Sequence, residues 1–410
     1  MSFAQEMYPL PKLFKRGLNL IFMVPHLDAV KSVHFWDLPE TTRFVLDRNF
    51  CAELFDKAAG GSLRSLASKL GVSYPRACHL RRPLYSIPKG VLMCLIILSA
   101  IEKADVENKI IEIKTRSGGG SKVKFPINGN RAIASLVGHV FGDGCIYSKK
   151  RQFEYGNTKP ELLESVMKLV GDVLCAEPIR IAETRLVYSA IVGDILLLFG
   201  APKAPKLNSD SPVPEWIMAG PNEFKAAFLG ALFDDDGSVM YSEKYAAKGI
   251  NLYQTRHEKN LDCLMRLMSQ VKTMLSDFGI LAGKPSVSRS YSKPDGAHIV
   301  AYLNVTDIES MRKFNESIGF AHIEKKVKLE KILSRKIIYS KTREAVLSKE
   351  ILGFLAVRGA STAKVSEALS LDKSKALKKL LRLESRGLVR RAGRAAPNRS
   401  FIWQTREVTC

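Results

Sequence analysis

Two aspartates, Asp143 and Asp236, are the residues whose surroundings most suggest chemistry, and each is followed by glycine. They occupy the same place in two copies of one segment, because residues 132–146 recur as residues 225–239 at a constant offset of 93. Each copy is predicted to be a helix that ends at its aspartate. Acid at a helix C-terminus opposes the helix dipole by about 0.3–1 kcal/mol, and two such acids brought together repel each other. Bound divalent cations would offset both effects.

Small side chains predict how the two helices meet. In each copy three positions spaced by four residues fall on one helix face. The aligned positions are Ala134, Gly138 and Gly142 in the first copy and Ala227, Ala231 and Asp235 in the second. Small residues on such a face let two helix backbones approach closely. We therefore expect two halves that pack about a pseudo-twofold axis and bring both aspartates together.

The two motifs, LVGHVFGDG and LGALFDDDG, resemble the two copies of the LAGLIDADG motif in double-motif (DOD-type) homing endonucleases. The resemblance covers about residues 128–335. Residues 202–217 and 315–333 are similar to the segments that close the two repeats of this family. The first copy departs from the motif at its sixth position, where Phe141 replaces an acid. The resemblance implies an α+β fold built from two αββαββα repeats, at residues 125–220 and 221–340.

The implied chemistry is phosphodiester hydrolysis, which needs a positioned water, charge stabilisation at phosphorus and assistance to the leaving oxygen. By resemblance, Asp143 and Asp236 would share two or more Mg²⁺ ions, assisted by the main-chain carbonyls of Gly142 and Asp235. Oxygen ligands of this kind suit Mg²⁺ better than Zn²⁺.

Each repeat of this family also contributes a catalytic lysine. For the first repeat Lys206 is the best match, with Lys203 as the alternative. For the second repeat Lys325 is the best match, with Lys326 as the alternative.

Each repeat of this family presents an antiparallel sheet to the DNA major groove, with every second residue on the DNA side. The sequence does not decide which alternate set faces the DNA. The candidate contacts in the first half are Tyr147, Lys149 and Arg151, which share their parity with Tyr155. In the second half they are His298, Tyr302 and Asn304, and Arg185 and Arg289 are further candidates.

The N-terminal region, residues 1–115, contains a helix-turn-helix-like pattern at about residues 45–105. One helix is expected to end near Leu70, followed by a turn at Gly71 and a second helix with Pro75 in its first turn. Arg76 would then be available to DNA, although a plain helical hairpin with a basic face is the alternative. The glycine-rich residues 115–124 are expected to form a linker between domains.

The C-terminal residues 346–410 carry 14 Lys plus Arg against 5 Asp plus Glu, a net charge of 14 − 5 = +9. Their pattern predicts a winged helix, with a helix capped by Ser361, a second one capped by Asp372 or Ser374, and a basic hairpin. A helical tail that binds proteins is the alternative. The DNA-binding candidates are Lys375, Lys378, Lys379 and Arg382 on the second helix, and Arg391, Arg394 and Arg399 in the hairpin.

Composition agrees with a polyanionic partner. The 410 residues carry 63 Lys plus Arg and 41 Asp plus Glu, a formal charge of 63 − 41 = +22. The seven cysteines form no CxxC pair, which argues against a disulfide framework or a zinc site. The longest apolar run, residues 91–101, is too short to span a bilayer. The N-terminus lacks the pattern of a secretory signal. We expect a cytoplasmic, nucleoid-associated protein without a membrane partner.

The resemblance thus implies a site-specific, metal-dependent endonuclease that cleaves double-stranded DNA at a long, non-palindromic target, acts as a monomer and serves intron homing. One alternative is a non-cleaving transcriptional regulator, similar to sporulation regulators that join a degenerate LAGLIDADG domain to a helix-turn-helix. Another is an RNA-splicing maturase that binds structured RNA. Residue 1 is no splicing nucleophile and no His-Asn pair precedes the final residue, so we expect a free-standing protein rather than an intein.

Overall fold

A computed structural model describes residues 31–115, 120–241, 248–334, 340–357, 359–394 and 401–405. The chain divides into two compact units, Met1–Leu333 and Ser334–Cys410. The mixed α+β class expected from the sequence is confirmed. Among the described helices, none combines the length and apolar character that a membrane span requires.

The first part of the larger unit surrounds a small sheet with five helices. In chain order its elements are β1 Ser32–Val33, β2 Arg43–Leu46, α1 Arg48–Ala59, α2 Leu63–Lys69, α3 Tyr74–Leu80, β3 Ile87–Pro88, α4 Lys89–Ser99, α5 Lys103–Glu107, β4 Ile110–Lys114, β5 Gly120–Ser121 and β6 Ile127–Asn128. The sheet has the order β3-β2-β4-β5, and β1 pairs separately with β6.

The expected linker at residues 115–124 is not a domain boundary. Lys114 pairs with Gly120, so this segment connects two antiparallel neighbours in one sheet. One hydrophobic core runs without interruption from Val33 to Ile332. The prediction of a separate N-terminal domain was therefore wrong, because a short connection between paired strands can have the same glycine-rich composition as a linker.

The predicted pair of short helices is present as α2 and α3. Ser62 caps α2 by accepting a hydrogen bond from the Ser65 N–H. Gly71 has a φ of +64°, a left-handed conformation that glycine adopts without strain, and this turns the chain between the helices. Pro75 lies in the first turn of α3, where its missing N–H costs nothing.

Two repeats with the same order of elements follow. The first comprises α6 Arg131–Phe141, β7 Gly144–Ile146, β8 Phe153–Gly156, α7 Pro160–Leu174, β9 Arg180–Ala182, β10 Arg185–Val187 and α8 Ala190–Leu198, followed by the short α9 Glu215–Met218. The second comprises α10 Asn222–Asp236, β11 Gly237–Tyr241, β12 Lys248–His257, α11 Leu261–Asp277, β13 Ser286–Lys293, β14 Gly296–Val305, α12 Ile308–Ser317 and α13 Ile323–Ser334. The sheets have the equivalent orders β7-β8-β10-β9 and β11-β12-β14-β13.

The two motif helices, α6 and α10, pack against each other through their small residues. A Cβ atom at Gly138 would lie 2.5 Å from the Phe228 carbonyl oxygen and 2.9 Å from the Ala231 Cβ. No larger side chain fits at this crossing, which explains the small residues found in the sequence. The close contact brings the C-terminal ends of both helices to one place.

The smaller unit is described by itself. Its elements are α14 Ser340–Val357, β15 Ala360–Ser361, α15 Thr362–Ala368, α16 Lys373–Ser385, β16 Val389–Arg394 and β17 Phe401–Thr405. Ser361 and Asp372 cap α15 and α16 as expected. Ile351 and Leu355 of α14 belong to the core of this unit, so it begins at Ser334 rather than at residue 346.

Candidate active site

The structure brings Asp143 and Asp236 together at the ends of the paired helices. Asp236 is the last residue of α10, and Asp143 lies two residues beyond the end of α6. Burial is the main cause of the raised pKa of Asp236, and the charge of the nearby Asp143 adds to it. The principal juxtaposition expected from the repeat is therefore present.

Each aspartate accepts a hydrogen bond from an amide side chain of its own repeat. The Asn157 Nδ2 donates to the Asp143 Oδ2 at 2.8 Å. The Gln254 Nε2 donates to the Asp236 Oδ2 at 2.5 Å. These two amides belong to the site, and the sequence alone did not reveal them.

The two amides occupy equivalent positions in their sheets. In each repeat, the glycine after the aspartate pairs with a residue of the next strand, and the amide follows that partner by two residues. The pairs are Gly144 with Tyr155 and Gly237 with Leu252. Asn157 follows its aspartate by 14 residues and Gln254 by 18. The differing hairpin lengths hide this equivalence in the sequence.

Both preferred lysines lie at the helix ends. The Lys206 Nζ donates to the carbonyl oxygen of Gly142. The Lys325 Nζ donates to carbonyls at the end of α10, at 3.0 Å from the Phe233 oxygen and 3.4 Å from that of Asp235. Burial lowers the pKa of both ammonium groups, and the nearby carboxylates oppose this shift. The alternatives, which are exposed, are Lys203 and Lys326.

The site concentrates carboxyl groups in buried surroundings. Burial, with a contribution from Asp235, raises the pKa of Asp143 to about 6. Burial also raises the pKa of Asp236 to about 7, although Lys206 opposes the shift. Carboxylates that resist ionisation in the folded protein are groups that a cation would stabilise in the ionised form.

The donors fit a hard divalent cation. They are two carboxylates and the carbonyl oxygens of Gly142 and Asp235, which the lysines contact. Among the described residues no group of three or more His, Cys, Asp or Glu side chains could hold a metal ion. A cation here would depend on few protein ligands. Mg²⁺ commonly binds in this way, retaining waters and binding substrate phosphate oxygens.

The side chain of Asp235, predicted to contribute only its carbonyl, crosses into the first repeat. It is 0% exposed, and its Oδ2 lies 3.0 Å from the His139 Nδ1. The same oxygen accepts from the Asp143 N–H at 3.1 Å, and its Oδ1 accepts from the Tyr155 hydroxyl at 2.7 Å. Tyr155 is fully buried, so it cannot face DNA as its parity with Tyr147 had suggested.

A cleft of 1010 Å³ opens beside Asp236 and Gly142, which form part of its wall. Tyr147 and Lys149 line it, as does Arg185, whose Nε lies 3.2 Å from the Glu154 Oε1. Basic side chains outnumber acidic ones in its wall. The basic members are Lys149, Lys150, Arg180, Arg185, Lys206 and Arg256. Such a wall suits a polyanion.

Arg151, a predicted DNA contact, is not among the residues that line this cleft. Its backbone has a φ of +55°, which interrupts strand alternation in the β7–β8 connection. Its guanidinium lies 3.1 Å from the buried Asp194 and donates to the Thr41 Oγ1 at 2.7 Å. Arg151 therefore ties the connection to α8 and to the N-terminal part of the unit.

The second sheet exposes only some of the residues that were predicted to contact DNA. Tyr302 and Asn304 are half-buried on the face opposite the buried Leu303, and the Tyr302 ring stacks on exposed Tyr253 at 6.2 Å. Exposed Arg289 pairs with Val300 in the same sheet. His298 is 0% exposed, and its Nε2 bonds the Asp295 Oδ1 at 3.1 Å. The prediction that His298 contacts DNA was therefore wrong, because Asp295 and the Tyr291 ring lie against its ring.

The candidates outside the repeats are mostly at the surface. Arg76 on α3 and Lys375 on α16 are exposed, and Lys379 is half-buried. Arg391 pairs with Glu384 at 2.8 Å and lies over the Phe401 ring at 4.7 Å, which gives it a structural role. The Arg394 side chain and the whole of Arg399 lie outside the described residues.

Comparison with known proteins finds a family match within the second repeat. Residues 223–319 match the family model described as LAGLIDADG-like domain. The chain is 31% identical over 129 residues to a tRNA-splicing ligase RtcB of Methanopyrus kandleri, covering 31% of this chain and 12% of that protein. It is 25% identical over 217 residues to a glutamine–fructose-6-phosphate aminotransferase of Methanocaldococcus jannaschii, covering 52% and 18%. The chain thus matches under a fifth of the length of either relative.

A solved structure, the N-terminal LAGLIDADG domain of DUF199/WhiA, is also similar. The match covers 53% of this chain and 89% of that one at 13% identity. Its TM-score of 0.27 is too low to support an argument about function.

Proposed function

Because residues 223–319 form a LAGLIDADG-like domain, we propose that this protein is a site-specific, metal-dependent endonuclease that cleaves both strands of DNA. One observation carries the proposal. Two aspartates meet at the ends of paired helices, each accepts a hydrogen bond from its own amide, and a lysine contacts the carbonyls at each helix end. The repetition suits a reaction that must occur twice, once on each strand.

The residues divide the chemistry among them. Asp143 and Asp236, with the carbonyls of Gly142 and Asp235, would hold Mg²⁺. Bound there, Mg²⁺ would activate water and stabilise charge on the scissile phosphate and the leaving 3′ oxygen. Asn157 and Gln254 orient the two carboxylates. Lys206 and Lys325 place a positive charge beside each helix end, where it favours the developing negative charge.

The two sheets would provide sequence recognition. Their equivalent strand orders suit halves related by a pseudo-twofold axis, with one sheet on each half of the target. Arg185, Arg289, Tyr302 and Asn304 are the proposed base contacts, and Lys149 a phosphate contact. The α2–α3 pair and the α15–α16 pair are proposed as helix-turn-helix and winged-helix modules that extend the contact with DNA.

A second candidate is a non-cleaving DNA-binding regulator on the same scaffold. The flanking helix pairs favour it, because cleavage does not require the additional DNA contacts that are proposed for them. The relatives above are named for two unrelated enzyme activities, and each is matched over a minor part of its length. We infer that the shared segment is a module independent of either named activity.

A cleavage selection separates the two candidates. The purified full chain would be incubated with Mg²⁺ and a plasmid library of randomised inserts, and the linearised plasmids would be sequenced. We expect one enriched target cut on both strands. The variant Asp143→Asn/Asp236→Asn should recover none. Enrichment of a bound sequence that is never cut would favour the regulator.

A further inference from the structure

Asp235 occupies a motif position at which the two copies carry different residues. Under the repeat it corresponds to Gly142, and the two residues face each other across the helix pair. A Cβ at Gly142 would lie 2.4 Å from the Asp235 Cβ. Only one of the two positions can therefore carry a side chain, and that side chain belongs to the second repeat and reaches into the first.

All the side-chain hydrogen bonds of Asp235 described above are made with groups of the first repeat. His139, Tyr155 and the Asp143 N–H surround its carboxylate. Three contacts to a side chain with no exposed surface fix its orientation closely. The opposite arrangement cannot exist, because Gly142 has no side chain to reach the second repeat.

The two catalytic aspartates consequently differ in how their main chains are held. Asp236 is still within α10. Helix α6, in contrast, ends at Phe141. Its last helical hydrogen bond joins the Gly142 N–H to the Gly138 carbonyl. The next N–H, that of Asp143, donates instead to the Asp235 Oδ2. The crossing carboxylate takes the place of the helical acceptor that Asp143 lacks.

We propose that Asp235 is a positioning residue that holds Asp143 in place, so that the two halves of the active site are supported unequally. Removal of its carboxylate should impair the half that contains Asp143 more than the half that contains Asp236. The catalytic consequence rests on the proposed function, whereas the positioning contact can be tested without it.

Amide hydrogen exchange of the metal-free full chain tests the contact. Asp235→Ala should remove protection from the segment containing Asp143, with exchange at least about tenfold faster. Asp235→Asn keeps one acceptor oxygen and the side-chain volume, so it should retain part of the protection. Asp234→Asn is the matched control, because Asp234 accepts from the N–H groups of Ala321 and His322 and should affect that segment instead. Unchanged exchange at Asp143 in both Asp235 variants would overturn the proposal.

Strand-specific cleavage tests the consequence. With each strand of the target labelled separately, Asp235→Ala should slow one strand at least about tenfold more than the other, while DNA affinity stays within about threefold. Tyr155→Phe should slow the same strand less, and should add nothing in the Asp235→Ala background, because it acts through Asp235. Equal slowing of both strands would overturn the unequal support. If the wild-type protein cuts no DNA, the proposed function fails, and the exchange result alone decides the contact.

Discussion

Asp143 and Asp236 are placed where local stability disfavours them. Both lie at the negative ends of helices, and burial raises the pKa of each. Lysines on the adjoining carbonyls offset part of this charge. Such an arrangement is typical of a site retained for its chemistry at some expense in stability.

The first prediction concerns these two aspartates. Asp143→Asn and Asp236→Asn should each reduce cleavage by more than about 100-fold, because each removes a charged ligand of the proposed cation site. DNA affinity should stay within about threefold, since the sheets are unchanged. Cleavage would be measured on the selected target and binding by fluorescence anisotropy. Asp172→Asn, exposed on α7, is the control, and full cleavage by both single variants would reject the site.

The second prediction concerns Asp194, whose pKa burial raises to about 6 against the opposing effect of Arg151. A carboxyl with a raised pKa binds its proton more tightly in the folded state than in the unfolded state. Its contribution to the free energy of unfolding therefore decreases as the pH rises from about 4 to about 6. Asp194→Asn should gain stability relative to the wild type across this range, measured by urea unfolding. A difference that is constant with pH would contradict the assignment.

At the scale of elements, the proposed DNA contacts of the first repeat differ in how their side chains are held. Arg185 is oriented by Glu154 in the first sheet, whereas Lys149 lies in the β7–β8 connection. An arginine so held can form a bidentate contact with a guanine, and the point charge of a lysine is suited to a phosphate.

The third prediction compares these two side chains. Arg185→Ala should relax the base preference at one target position by about 1–3 kcal/mol. Lys149→Ala should weaken binding to all sequences alike and reduce the slope of log K against log salt by about 0.9. Binding selections and salt titrations distinguish the outcomes. A changed base preference with Lys149→Ala, or none with Arg185→Ala, would reverse the assignment of the two contacts.

Local signals in the sequence predicted the helices well. The paired α6 and α10, the turn at Gly71 and the Ser361 and Asp372 caps depend on neighbouring residues, which the sequence displays directly. The face on which each strand residue lies was harder to predict from the sequence. The left-handed Arg151 changes the parity between β7 and β8, so that Tyr147 reaches the cleft while Tyr155 is buried. No local pattern reveals that change.

Features of the site that depend on pairing between strands were likewise missed. Asn157 and Gln254 become equivalent only once the register of each hairpin is known. The crossing of Asp235 depends on the contact between the two motif helices, and the sequence showed only a carboxylate where small residues were expected. These are long-range contacts, which residue spacing does not encode.

At the scale of the whole molecule, the unit beginning at Ser334 should add affinity by neutralising DNA phosphates. The fourth prediction is that removal of residues 334–410 weakens DNA binding and lowers the salt slope by about 0.9 for each phosphate that this unit neutralises. Cutting at residue 346 would instead divide α14, which contributes Ile351 and Leu355 to the core of this unit. In the full chain, Lys375→Ala should lower the slope by about 0.9. A slope unchanged by the truncation would indicate that this unit serves another role, such as binding a protein.

The last prediction is that one chain acts alone on a target without twofold symmetry. Both motif helices lie in the same chain, so both aspartates meet without a second subunit. The halves differ where they would contact bases: β8 has four residues and β12 has ten, and the aspartates are supported by unequal contacts. Sequence is recognised through side chains, so unlike halves should select unlike half-sites, whereas a homodimer would impose symmetry. Sedimentation with a labelled duplex should give a 1:1 complex, and selection a non-palindromic site. A 2:1 complex on an inverted repeat would contradict this and favour the regulator.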